Sequence, residues 1–144
     1  MQGIHCTSDA PYVPARIGDA RSEEGAYVWQ KLMATGAVVT NGTDAPVEDV
    51  SPIASYYATV SRMMPSGERF YPDQAMSRLE ALESYTINVA WSLHYDDVTG
   101  SIEEGKFADM IVLNHNLLEI PETQIHRTEV LTTTFKGGVV YERD

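Results

Sequence analysis

The chain has 144 residues, 43% of them hydrophobic, a formal charge of -11 and a single cysteine. That is enough apolar material for one globular domain with a real core, and too few residues for a complete eight-fold α/β barrel of about 250. The negative charge, with its ten basic residues scattered, repels nucleic acid and anionic membranes; one cysteine excludes an internal disulfide and a thiolate metal cluster. No stretch approaches the roughly 20 apolar residues of a membrane span, and no basic-then-apolar leader follows Met1, so the expected setting is the cytoplasm.

In chain order, "MQGIH" reads as the end of a strand, followed by a long loop of turn formers, "CTSDAPYVPARIGDA". "RSEEGAYVWQKLMATG" has the spacing of a helix, with Ser22 as a cap and Ala26, Val28, Trp29, Leu32 and Met33 on one side. "AVVT" then reads as a strand buried on both faces, so the order is that of a parallel β/α sheet. Pro52 opens the next helix, "PIASYYATVSRMM", which Arg62 closes. "SRLEALESYTINVAWSLH" repeats apolar residues at three and four and predicts one long helix. After "DDVTGS" the period turns extended: "FADMIVLN" and "VLTTTFKGGVVYE" predict strands, with a hairpin turn at Lys136-Gly137-Gly138. Residues 1–98 form an α/β unit and 99–144 a small β element.

Asp44, in "NGTDAPV", falls at the carboxyl end of a parallel strand, where α/β sheets concentrate their chemistry. On spacing alone it is either a site residue or an ordinary turn cap before Pro46. His5, at the end of the preceding strand, faces the same mouth and is either a site imidazole or a hydrogen-bonded loop histidine. Asp9 reads as a turn residue. His94, His115 and His126 have no metal-site spacing and read as structural or solvent-facing. Trp29, Tyr56, Tyr57 and Met63 read as packing, and Arg62 as a basic residue suited to a helix carboxyl end.

Taken in order, "MQGIHCTSD", "GAYVWQKLMATG", "NGTDAPV", "ALESYTINVAWSL", "GSIEEGKFADMIVL" and "TTTFKGGVVY" resemble the carboxyl-terminal part of the metal-dependent amidohydrolase superfamily, in its large-amidohydrolase branch that is similar to N-substituted formamide deformylase. The resembling family usually has Pro where Gly3 stands and Ser where Thr43 stands, departures that bear on loop shape and leave the charged groups in place. The resemblance implies the last strands and helices of a (β/α)8, TIM-like barrel plus part of a small composite β-sandwich. It implies hydrolysis of carbon–nitrogen, amide-like bonds, with a divalent metal, zinc or similar, held in the barrel mouth. Asp44 matches the acid that binds the metal and takes a proton from the water it activates; His5 would meet the substrate. The His-X-His pair and further histidines of the family's metal set have no match here. The expected partners are a small amide-like substrate and either a further copy or the absent barrel segment. The competing expectation is a non-catalytic fragment that pairs with another chain.

Overall fold

The computed structural model describes all 144 residues. Seven short helices precede a three-stranded sheet: α1 His5–Ser8, α2 Val13–Ile17, α3 Asp19–Gly25, α4 Trp29–Met33, α5 Pro52–Ser61, α6 Arg78–Tyr85, α7 Ile87–Ser92, then β1 Met110–Leu113, β2 Val130–Phe135 and β3 Gly138–Glu142. Two 3₁₀ turns, Pro72–Gln74 and Glu122–Arg127, lie between them.

α5 begins where the sequence places it. Ser51 caps it by accepting the Ala54 amide at 3.2 Å, Pro52 occupies the first turn, and Arg62 ends it in a left-handed conformation, φ 54°. Its inward face supplies Tyr56, Ala58 and Val60 to the main core, where they meet Cys6, Trp29, Val39, Met76, Ala81 and Ile125. α6 starts on a capping box: the Glu80 amide donates to Ser77 Oγ at 3.2 Å and the Ser77 amide to Glu80 Oε2 at 2.7 Å.

Two expected long helices are each broken. The 21–36 helix divides into α3 and α4 around Tyr27, which has φ 55° and whose carbonyl receives Nη1 of Arg62 at 2.8 Å. A buried guanidinium thus takes an acceptor that a continuous helix would have used internally, and Ser22 lies inside α3, where its Oγ accepts the Tyr71 hydroxyl at 2.9 Å. The 77–94 helix divides at Thr86, with φ -120° and ψ -98°. Gly100 packs there so closely that a Cβ on it would stand 2.6 Å from Ala90 Cβ.

Neither "MQGIH" nor "AVVT" forms a regular strand. They meet through one parallel bridge, Gln2 with Gly42, with the Gly42 amide donating to Met1 O at 3.0 Å and the Met1 ammonium to Thr40 O at 2.6 Å. The parallel direction is the expected one. Each segment has a neighbour on one side only, whereas a ladder buried on both faces is held from both. His5 accordingly does not end a strand but opens α1.

The carboxyl-terminal sheet has the order β1-β2-β3, antiparallel throughout, with Ile111 opposite Thr133 and Thr133 opposite Tyr141. Its hairpin turns at Lys136 and Gly137, both at positive φ, 49° and 81°, the requirement of a tight turn that follows the strand twist. Helices and a small antiparallel sheet therefore coexist, the sheet falling where the sequence turns from helical to extended spacing. Between α6, α7 and β1 runs an apolar cleft of about 660 Å³ lined by Leu82, Val89, Leu93, Ile111 and Leu117.

Candidate functional site

The Gln2–Gly42 bridge fixes two chain segments side by side, and His5 and Asp44 each follow one of them. Asn41 locks the pair. Its Oδ1 accepts the Gly3 amide at 2.8 Å and the Gly42 amide at 3.0 Å, and its Nδ2 donates to Thr59 Oγ1 at 3.2 Å, the first and last of these bonds being buried. Ser55 of α5 adds a second tie, its Oγ accepting the Ile4 amide at 3.1 Å and donating to Gly42 O at 3.4 Å. A polar network that is satisfied on every member fixes geometry better than packing alone, because any shift orphans a buried group.

Asp44 stands at φ 61°, a left-handed conformation that Asp adopts more readily than most residues. Its carbonyl accepts the Val47 amide at 2.8 Å and the Glu48 amide at 3.3 Å, so it does initiate a turn. Its carboxylate, 40% exposed, lies at the lip with Oδ2 3.1 Å from Nε2 of His5. Sequence reasoning places these two residues at one mouth, and the fold brings them into contact.

The other edge of the His5 ring was not anticipated. Nδ1 faces Glu48 Oε1 at 3.5 Å and Asp9 Oδ2 at 3.7 Å, yet it is shut off from solvent and has no hydrogen-bond partner. Asp9 is the carboxyl cap of α1, so the turn reading holds for its backbone. Its side chain, however, accepts the hydroxyls of Tyr12 and Tyr27. Burial alone would raise its pKa; the two hydroxyls and the neighbouring imidazole outweigh that and hold it below the usual carboxylate range. Burial first, and then the bond to Asp9, push the Tyr27 phenol up. The signal available in the sequence was the spacing of four between His5 and Asp9, which pairs them only once residues 5–8 are helical.

Arg62 is the second residue the sequence reading misplaced. It has no exposed surface, and its guanidinium lies 4.9 Å from the Trp29 ring centre and 5.7 Å from that of Phe70. Nε donates to Phe70 O at 2.6 Å and Nη1 to Tyr27 O at 2.8 Å, while Nη2 has no partner. It is a core fastener behind Tyr27, not a surface complement to a helix dipole. His94, His115 and His126 are exposed and lie apart from His5; the His126 ring centre stands 5.6 Å from that of Tyr57.

A carboxylate at an exposed lip beside an imidazole can accept a proton and offer one ligand to a cation. No three His, Cys, Asp or Glu side chains converge in a way that could hold a metal ion by themselves. The donor set of this chain thus fits a metal as one carboxylate ligand of a larger site.

The chain is similar to several known proteins. Residues 1–141 match the amidohydrolase family. The chain is 31% identical over 146 residues to YtcJ of Bacillus subtilis (strain 168), which bears the name of an amidohydrolase, covering 99% of this chain and 27% of that protein. It is 32% identical over 114 residues to N-substituted formamide deformylase of Arthrobacter pascens, covering 79% of this chain and 21% of that enzyme. Among solved structures, an uncharacterized metal-dependent hydrolase of Pyrococcus horikoshii OT3 superposes with a TM-score of 0.74 at 29% identity, over 85% of this chain and 25% of that one. The chain spans about a quarter of the length of the proteins it matches. With a match over residues 1–141, the chain belongs to the amidohydrolase family.

Proposed function

We propose that this chain is the carboxyl-terminal portion of a metal-dependent hydrolase that cleaves carbon–nitrogen, amide-like bonds of small molecules. The observation that carries the reading is the contact of Asp44 with His5 at 3.1 Å, at the ends of two segments bridged in parallel. On this reading residues 1–98 are the last strands and helices of a (β/α)8 barrel and residues 99–144 part of a composite β-sandwich.

Asp44 would hold a divalent ion, zinc or similar, as one of its ligands, and the ion would supply the Lewis acid that makes water nucleophilic at neutral pH. Asp44 is also the proton acceptor at this lip and the group that returns a proton towards the departing nitrogen, which suits a short carboxylate with few rotamers at an exposed lip. His5 meets the substrate and steadies the carboxylate through Nε2. Asn41, Ser55 and the Gln2–Gly42 bridge keep the two side chains in register.

The reading is tested in the full-length protein with a panel of formamides and other small amides, comparing wild type with Asp44→Asn. Loss of turnover in a folded Asp44→Asn variant supports it; equal turnover returns Asp44 to the role of turn cap. A second reading, a non-catalytic unit that pairs with another chain or a further copy, draws on the exposed apolar residues of the sheet, among them Ile111, Val139 and Val140, 54%, 62% and 63% exposed, and on the open apolar cleft beside β1.

A further inference from the structure

Asp9 is tied into the core more firmly than a residue at the rim of a mouth needs to be. Each of its oxygens accepts a tyrosine hydroxyl, Oδ1 from Tyr12 and Oδ2 from Tyr27, so its carboxylate has little freedom to turn. Tyr27 is immobile in its own right. Its backbone is held at φ 55° by Nη1 of the fully buried Arg62, and its ring packs edgewise on Trp29 and Phe70, with centroids at 6.3 and 6.4 Å. The result is a line of fixed groups, Arg62 to Tyr27 to Asp9, that ends 3.7 Å from Nδ1 of His5. Glu48, the other carboxylate near that nitrogen, has one support, the Ser8 hydroxyl at 2.7 Å.

Nδ1 of His5 is the orphan in this arrangement. A ring nitrogen shut off from water without a hydrogen bond costs free energy that a movement of some tenths of an ångström towards a carboxylate recovers. We propose that Asp9, held by Tyr27 and Tyr12, is the positioning residue for His5: by accepting a hydrogen from Nδ1 it fixes the plane of the imidazole, so that Nε2 is held facing Asp44. A carboxylate that orients an imidazole through one nitrogen and leaves the other for chemistry is a general device. The inference rests on the reading of His5 as the residue that meets the substrate.

Nitrogen-15 NMR of the histidine rings at one fixed pH tests it on the full-length protein. His5 is identified by the signals lost in His5→Gln. In the wild type His5 carries a hydrogen on Nδ1. Asp9→Asn removes that signal or gives exchange between tautomers, Tyr27→Phe weakens it, and the remaining histidines stay unchanged. A bare Nδ1 in the wild type, or an unaltered Nδ1 hydrogen in folded Asp9→Asn, overturns the proposal. If Asp9→Asn does not fold, Tyr12→Phe decides, since the Tyr12 ring is 50% exposed and its hydroxyl supports Asp9 alone. Unchanged His5 signals in that variant overturn the proposal equally.

In the same protein, Asp9→Asn lowers kcat/KM by roughly 10–100-fold, and Asp9→Glu, whose longer arm cannot keep both tyrosines and the imidazole, does not restore it. Normal turnover in Asp44→Asn removes the hydrolase reading; the His5 ring signals judge the role of Asp9 separately.

Discussion

Replacing Gly3 by alanine tests how tightly the mouth is held. A Cβ on Gly3 would lie 2.0 Å from Thr59 Oγ1, 2.8 Å from the Ser55 carbonyl oxygen and 3.0 Å from Asn41 Nδ2. None of these is the free end of a long side chain. Thr59 is fully buried, donates to Ser55 O at 2.8 Å and accepts from Asn41 Nδ2 at 3.2 Å. Overpacking of this kind costs about 1–3 kcal/mol, and turning Thr59 aside forfeits two hydrogen bonds worth about 1 kcal/mol each, so the expected loss is about 3–5 kcal/mol. In urea unfolding, with a slope of about 1–3 kcal/mol/M, that is a midpoint lower by about 1–5 M with the slope unchanged. Thr59→Ala removes the worst contact. The double variant Gly3→Ala/Thr59→Ala is therefore expected to be more stable than the sum of the single losses by at least about 1 kcal/mol. Strict additivity, or a loss under about 0.5 kcal/mol in Gly3→Ala, would refute the argument that these atoms have nowhere to go. The same displacement separates the segments bearing His5 and Asp44, so turnover falls even in the folded fraction.

Four further outcomes are expected. In the full-length protein, Asp44→Asn keeps the fold by circular dichroism and loses roughly 10²–10⁴-fold in turnover, as removal of an acid–base group does. Zinc titration of this chain alone by calorimetry gives weak or no binding, because one carboxylate and one neighbouring imidazole fall short of the three or four ligands of a tight site; a tight stoichiometric site would contradict the partial donor set. Arg62→Met leaves the Phe70 and Tyr27 carbonyls without their donors and lowers stability in thermal melting by about 2–4 kcal/mol, and Arg62→Lys does not rescue it, since an ammonium lacks the planar fork. Burial pushes the Cys6 thiol and the Tyr56 phenol each up to about 12. A raised folded pKa contributes stability that is whole below the unfolded value and lost as pH climbs to the folded one, so stability declines from about pH 9 towards 12, and the slope is shallower in Cys6→Ala.

The amino-acid order alone determined a good deal. Ser51-Pro52 and the Ser77–Glu80 box start their helices from short-range chemistry that needs no distant partner. The hairpin at Lys136-Gly137 needs only residues tolerant of positive φ between two alternating runs. The proximity of His5 and Asp44 followed from the β/α rhythm and the resemblance, both properties of the order of residues.

What the sequence left open was set by contacts between residues far apart in it. Tyr27 has ordinary helix surroundings locally, and it breaks the helix because Arg62, 35 positions later, takes its carbonyl. Arg62 looks like any basic residue closing a helix, and its burial comes from Trp29 and Phe70 stacking against its guanidinium from either side in sequence. The neighbours of the His5 ring, Asp9 with its two tyrosines and Glu48 with Ser8, gather only when residues 5–8 coil into a turn instead of extending as a strand. Local propensity is read from a few adjacent residues, whereas a buried charge, a broken helix and the orientation of one imidazole each depend on which distant acceptor the fold brings within 3 Å or so.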